Sequence, residues 1–262
     1  MDADFPAAHS MDSAWFAVDR DGHVAYFSTH EAGAMPEVGV AGDSAYELLD
    51  RLAAAGPPAG EVIYDPRGHE MPSGKPAGLA GLPLMAQEYP LLMFVSSLAP
   101  LQSDIEAGRA TPVRATEGYA VVLPRLTAEQ ARRLQDSGVV RSWTFHFPRE
   151  GDRADPPTMG LFEYGHLCEN WISGPYGRER IPARPLHIDQ LPPGLRQSLK
   201  EATLPDVSFA ETVHIQPAEH WPCGSWEAAW LGLDGKARAF PGREADVEEL
   251  RANFPDLNVE EP

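Results

Sequence analysis

The sequence predicts an α+β fold: a mixed or mostly antiparallel sheet with a few short helices packed on it. Three observations carry this. Short β-prone runs recur along the chain, some with period-two alternation, and two pairs close as Asp-Gly hairpins. Helical periodicity is confined to brief amphipathic stretches. The 26 prolines and 23 glycines are spread throughout, which breaks long helices and supplies turns.

Taken in order, residues 1–12 read as a loose arm. The first hairpin follows, Ala14 to Val18 and His23 to Phe27 around the turn Asp19-Arg20-Asp21-Gly22. Both strands carry apolar groups on both faces, which predicts a central place in a sheet or cover by a helix. Ser44 and Glu47 form a capping-box pattern for a helix over 45–55, with Tyr46, Leu48, Leu49 and Leu52 inward. A short strand over 61–64 leads into the long Gly/Pro loop 66–83. Strands are expected at 91–95, 111–116 and 119–123. A helix capped by Thr127 and Gln130 comes next, then an alternating strand over 139–147. Strand, helix and strand over 118–147 fit a β-α-β unit. The polar stretch 148–157 is the best boundary candidate, although a single compact domain over 1–262 is expected. Later elements are strands at 159–167 and 207–215, a short helix at 195–202, a second hairpin at 227–240 and an acidic helix at 243–253. The last residues are expected to trail off.

Composition limits the function. Hydrophobic residues make up 43% and charged residues 23%, ordinary for a globular protein. A net charge of −18 argues against nucleic acid and anionic membranes as partners, since both need clustered Lys and Arg. It suits an acidic docking face for a basic protein partner. No apolar run reaches the ~18 residues of a membrane span. The first residues lack a basic signal region, so a cytoplasmic location is expected. Two cysteines make no disulfide framework and read as free thiols or metal ligands. Dinucleotide, Walker, HExxH and GxSxG signatures are absent.

The unusual residues gather between His166 and Trp230. His166, Cys168, His220 and Cys223 would supply a Cys₂His₂ zinc set, with His214 as a spare imidazole. Thiolate catalysis by either cysteine lacks a local signature. Arg178, Arg180 and Arg184 form a basic cluster in an acidic chain, a candidate partner or anion contact, with internal pairing to this chain's many carboxylates the favoured reading.

The hairpin AWFAVDRDGHVAYF and the stretches PLHIDQLPP and SFAETVHIQPAEHWPC resemble uncharacterised proteins of high-GC bacteria. The resemblance spans most of the chain and implies no activity. Small acidic proteins of this kind are also similar in class to immunity proteins that neutralise toxins. The expected function is therefore a non-catalytic cytosolic binding or interaction protein, immunity-like in one form. The alternative is a zinc-stabilised or zinc-dependent protein, a hydrolase included, built on 166–230.

Overall fold

The structure is a computed structural model that describes residues 13–30, 32–39, 43–55, 60–71, 89–146, 155–167, 172–253 and 259–260. In chain order its first elements are β1 (Ala14–Asp19), β2 (Val24–Ser28), β3 (Met35–Pro36), α1 (Asp43–Ala55) and β4 (Val62–Tyr64). Next come β5 (Leu91–Val95), α2 (Gln102–Glu106), β6 (Thr111–Val113), β7 (Tyr119–Leu123), α3 (Ala128–Ser137) and β8 (Val140–Phe145). Then follow β9 (Phe162–His166), β10 (Tyr176–Pro182), α4 (Pro193–Lys200), β11 (Thr203–Leu204) and β12 (His214–Ile215). The last are β13 (Cys223–Gly224), β14 (Ala229–Leu231), β15 (Ala237–Ala239), α5 (Glu244–Asn253) and β16 (Val259–Glu260). The α+β class is as the sequence predicts, with mixed and antiparallel sheets and no described helix longer than the 13 residues of α1. No described helix is long and apolar enough to cross a membrane.

The main sheet runs β11-β1-β2-β9-β10-β12, with β4 also on β10. The first hairpin lies inside it, as its two apolar faces predict. Strand alternation sends Ala14, Phe16, Val18, Val24 and Tyr26 to one side. There they pack with Leu48, Leu49 and Leu52 of α1 and Leu195 and Leu199 of α4. The other side carries Trp15, Phe27, Phe162, Tyr164 and Tyr176 against Phe209 and Ile215. Trp15 stacks on Phe27 at 3.7 Å between ring centroids, and both are fully buried. Burying such a side chain contributes about 2–3 kcal/mol. The Ser44 cap falls outside the described side chains.

Residues 91–145 form a smaller antiparallel sheet, ordered β6-β7-β5-β8. Its chain order is strand-helix-strand-strand-helix-strand, the split β-α-β connectivity. The unit expected over 118–147 is thus real but opened, because β5 lies between β7 and β8. The capping box at α3 is present, with Thr127 taking the Gln130 N–H and Gln130 taking the Thr127 N–H. One face of this sheet packs with the α3 residues Ala131 and Leu134. The other, carrying Leu92 and Phe94, packs with Tyr64 of β4. Backbone bonds from Tyr64 N–H to Arg114 O and from Thr116 N–H to Tyr64 O tie the two sheets together.

Two expectations are corrected. Residues 207–215 are not a strand; only His214–Ile215 pair. The Phe209, Ala210 and Thr212 carbonyls instead accept from Arg178 and Tyr164 side chains, and the Phe209 N–H goes to Asp19, so the ladder loses its partners. The chain end does not simply trail off, because Val259–Glu260 pairs in parallel with β15. Most of the 148–157 boundary stretch and residues 1–12 lie outside the described residues, as does most of the 66–83 loop.

Candidate functional site

The predicted cysteine and histidine residues that are described lie on different elements. His166 ends β9, where its Nε2 accepts the Gly174 N–H at 3.0 Å and its ring packs on Tyr176. Its Nδ1 is buried without a partner, and burial pushes the imidazole down to about 3. Cys168 lies outside the described residues. Cys223 sits on β13, buried with Ala34 and Phe240, and burial pushes its thiol up to about 12. It is therefore held as a thiol, not a thiolate. His220 follows a short 3₁₀ turn and lies against Trp221, with rings 6.0 Å apart. Partial burial holds its imidazole below the ordinary range. Among the described residues, His166, His220 and Cys223 do not bring three ligand atoms within 4.8 Å of one another. Zinc bonds of ~2.0–2.3 Å require closer approach than that. His214 donates Nε2–H to the Glu70 carbonyl at 2.7 Å and takes no part.

Two of the three clustered arginines lie on a strand. Arg178 and Arg180 lie on β10, and a bulge separates their partners on β9. Arg178 is 1% exposed. Its Nε and Nη2 reach Asp65 Oδ2 at 3.0 and 2.6 Å, and Nη1 reaches the Phe209 and Ala210 carbonyls at 2.5 and 2.8 Å. Burial alone would raise the Asp65 carboxyl. Hydrogen bonds from Arg67 and Arg178 overcome this and hold it below the usual carboxylate range. Arg180 pairs with Glu163 and, at 2.8 Å, with Asp155. Both guanidinium groups are thus spent inside the fold, as the favoured internal pairing has it, and neither is a partner contact. Arg184 lies beyond β10 and is exposed.

What the predicted region does build is a cleft of ≈ 600 Å³ beside β13, β14 and β15. Trp221, Cys223, Trp230, Arg238 and Phe240 line it, with His220 and Glu219 among its residues. Arg238 lies over the Trp230 ring at 5.2 Å, and Asp234 and Glu260 hold its guanidinium at 2.8 and 3.2 Å. Glu219 accepts the Leu233 N–H at 2.9 Å. Trp226, three residues past Cys223 in the chain, is 51% exposed. The cleft walls are mainly aromatic and apolar, with a few fixed charges. The HWPC and SWEAAW runs were the legible signal for it. Arg238, Phe240 and Glu260 were not, because strand pairing brings them in.

A further group escaped the sequence reading. Asp19, Asp21 and His23 bring one ligand atom each within 4.8 Å of one another. The alternating Asp-x-Asp-x-His pattern was visible, but its Asp and Gly residues already had an explanation as a hairpin turn. No protein-family model, curated protein or solved structure matches the chain.

Proposed function

We propose that the protein is a non-catalytic binding protein that docks a basic protein partner at the Trp221–Trp230 cleft. The observation that carries the reading is an aromatic cleft in a chain of net charge −18. Aromatic faces attract Lys and Arg side chains, and the acidic surface would steer a cationic partner. Glu219 and Glu260 place carboxylates among the cleft residues. The protonated Cys223 thiol and the neutral tendency of His220 favour recognition over nucleophilic chemistry there. An immunity-like role is one form of this reading.

The test is a titration with an Arg/Lys-rich peptide and an acidic peptide of equal length, followed by tryptophan fluorescence at low and high salt. The basic peptide should bind, weaken as salt rises, and lose most of its affinity with Trp230→Ala. Equal response to both peptides, or no effect of Trp230→Ala, would sink the cleft as the docking site.

A further inference from the structure

The first hairpin turn carries a set of metal-ligating groups outside the cleft. Asp19 ends β1, His23 precedes β2, and Gly22 at φ +79° folds the turn between them. The Asp19 Oδ1 accepts the N–H groups of Asp21 and His23 at 3.0 and 2.8 Å, and its Oδ2 accepts the Phe209 N–H at 2.7 Å. Ser208 Oγ donates to Asp21 Oδ2 at 2.6 Å. These bonds orient both carboxylates and leave acceptor sites on each, with Arg20 Nε 3.8 Å from Asp21 Oδ1. They are the kind of outer contacts that hold metal ligands in place.

The third group is an imidazole with a buried, unused nitrogen. His23 Nδ1 is buried and makes no hydrogen bond, although the side chain as a whole is 25% exposed. It faces Asp19 Oδ2 at 3.5 Å, too long for a good hydrogen bond. Two ligands bonded at ~2.1 Å to one ion, at a near-tetrahedral angle, stand about that far apart. The far side of the turn is closed by His187, whose Nε2 would lie 2.3 Å from a Cβ on Gly22. Its Nδ1 accepts the Asp189 N–H, so Nε2 keeps its proton and His187 is a wall and not a ligand.

We propose that Asp19, Asp21 and His23 form an open binding site for a borderline divalent cation of the zinc class, with water in the remaining positions. One imidazole with two carboxylates suits zinc or its neighbours better than calcium or magnesium, which prefer all-oxygen sets. The site uses no cysteine, which separates it from a thiolate zinc centre.

Cobalt(II) is the probe, titrated into the metal-free 262-residue chain and read by its visible absorption, with zinc binding followed by calorimetry. One ion should bind per chain, with ligand-field bands and no thiolate-to-cobalt charge transfer. His23→Gln and Asp21→Asn should each weaken binding at least about tenfold. Circular dichroism of the metal-free variants should match the parent. Asp21→Asn keeps an acceptor for Ser208, so it decides the matter if His23→Gln disturbs the fold. Absence of binding, a thiolate band, or unchanged affinity in a folded variant would overturn the assignment.

Discussion

The two hairpins read alike in the sequence and behave differently in the fold. WFAVDRDGHVAYF and WLGLDGKARAF share a tryptophan, a turn Asp, a turn Gly and a closing Phe. Even the backbone matches, with Gly22 and Gly235 both at φ +79°. Yet β1 and β2 lie inside the main sheet, whereas β14 and β15 form a small sheet with β16. Asp19 is 2% exposed and holds three backbone N–H groups, one of them from Phe209, far along the chain. Asp234 is exposed and pairs with Arg238 four residues on. An aspartate is a tertiary anchor in one hairpin and a surface contact in the other. The two differ in turn position, three residues before Gly22 and one before Gly235, and in what the rest of the chain brings to the turn.

Substituting the two aspartates should break this comparison most visibly. Asp19→Ala leaves three N–H groups without their acceptor and should cost about 3 kcal/mol, read from urea unfolding. Asp234→Ala should leave the urea midpoint within error. Equal effects would mean that the first turn is not an anchor.

Acid should also act on the main sheet that holds the first hairpin and spare the second hairpin. His166 is buried and neutral at the end of β9 in that sheet, and burial holds His69 below its ordinary range as well. The unfolded chain takes up these protons below about 6.5, while folded His166 does not until about 3. Stability is therefore present above the unfolded value and falls as pH drops between those limits. His166 alone sets a slope of at most about 1.4 kcal/mol per pH unit. His166→Gln, which keeps an acceptor for Gly174, should flatten this acid limb in melting curves taken from pH 7 to 4. An unchanged slope would remove His166 as its source.

The turn glycines give a finer contrast. Gly235→Ala should cost about 1 kcal/mol, the strain of a side chain at positive φ. Gly22→Ala should cost about 2 kcal/mol, since the new Cβ also displaces His187. Combining it with His187→Ala should recover the difference, as a double-mutant cycle would show. The smallest effect is expected from salt on the second hairpin. The exposed Lys236–Glu260 pair should be screened, so Lys236→Ala should shift melting slightly at low salt and not at all at high salt.

Much of the fold was legible because it rests on local rules. The Asp-Gly turn, the Thr127 capping box and the stripe of Leu48, Leu49 and Leu52 each state their structure within a few residues. The failures have one physical cause. In the 207–215 run, β-prone residues were read as a strand. Its carbonyls were claimed by Arg178, a side chain about 30 positions upstream, at |i−j| of 31 and 32. Internal pairing was the favoured expectation for Arg178, but no local signal shows that its partner is Asp65, met across 113 positions. The cleft was half legible. Trp221, Cys223 and Trp230 stood out by type, but Arg238 and Glu260 joined them only through the pairing of β14, β15 and β16.

The sequence by itself determined the α+β class, the first hairpin, the capped helix α3, the acidic character and the region of unusual residues. These follow from period, turn chemistry and composition, all of which act over a few bonds or over the whole chain at once. Only the tertiary structure decided that β5 splits the β7–α3–β8 unit, that Arg178 is buried and that Asp19 is an anchor. Each depends on a partner far away in sequence, and a buried charge or N–H takes its meaning from the group that satisfies it.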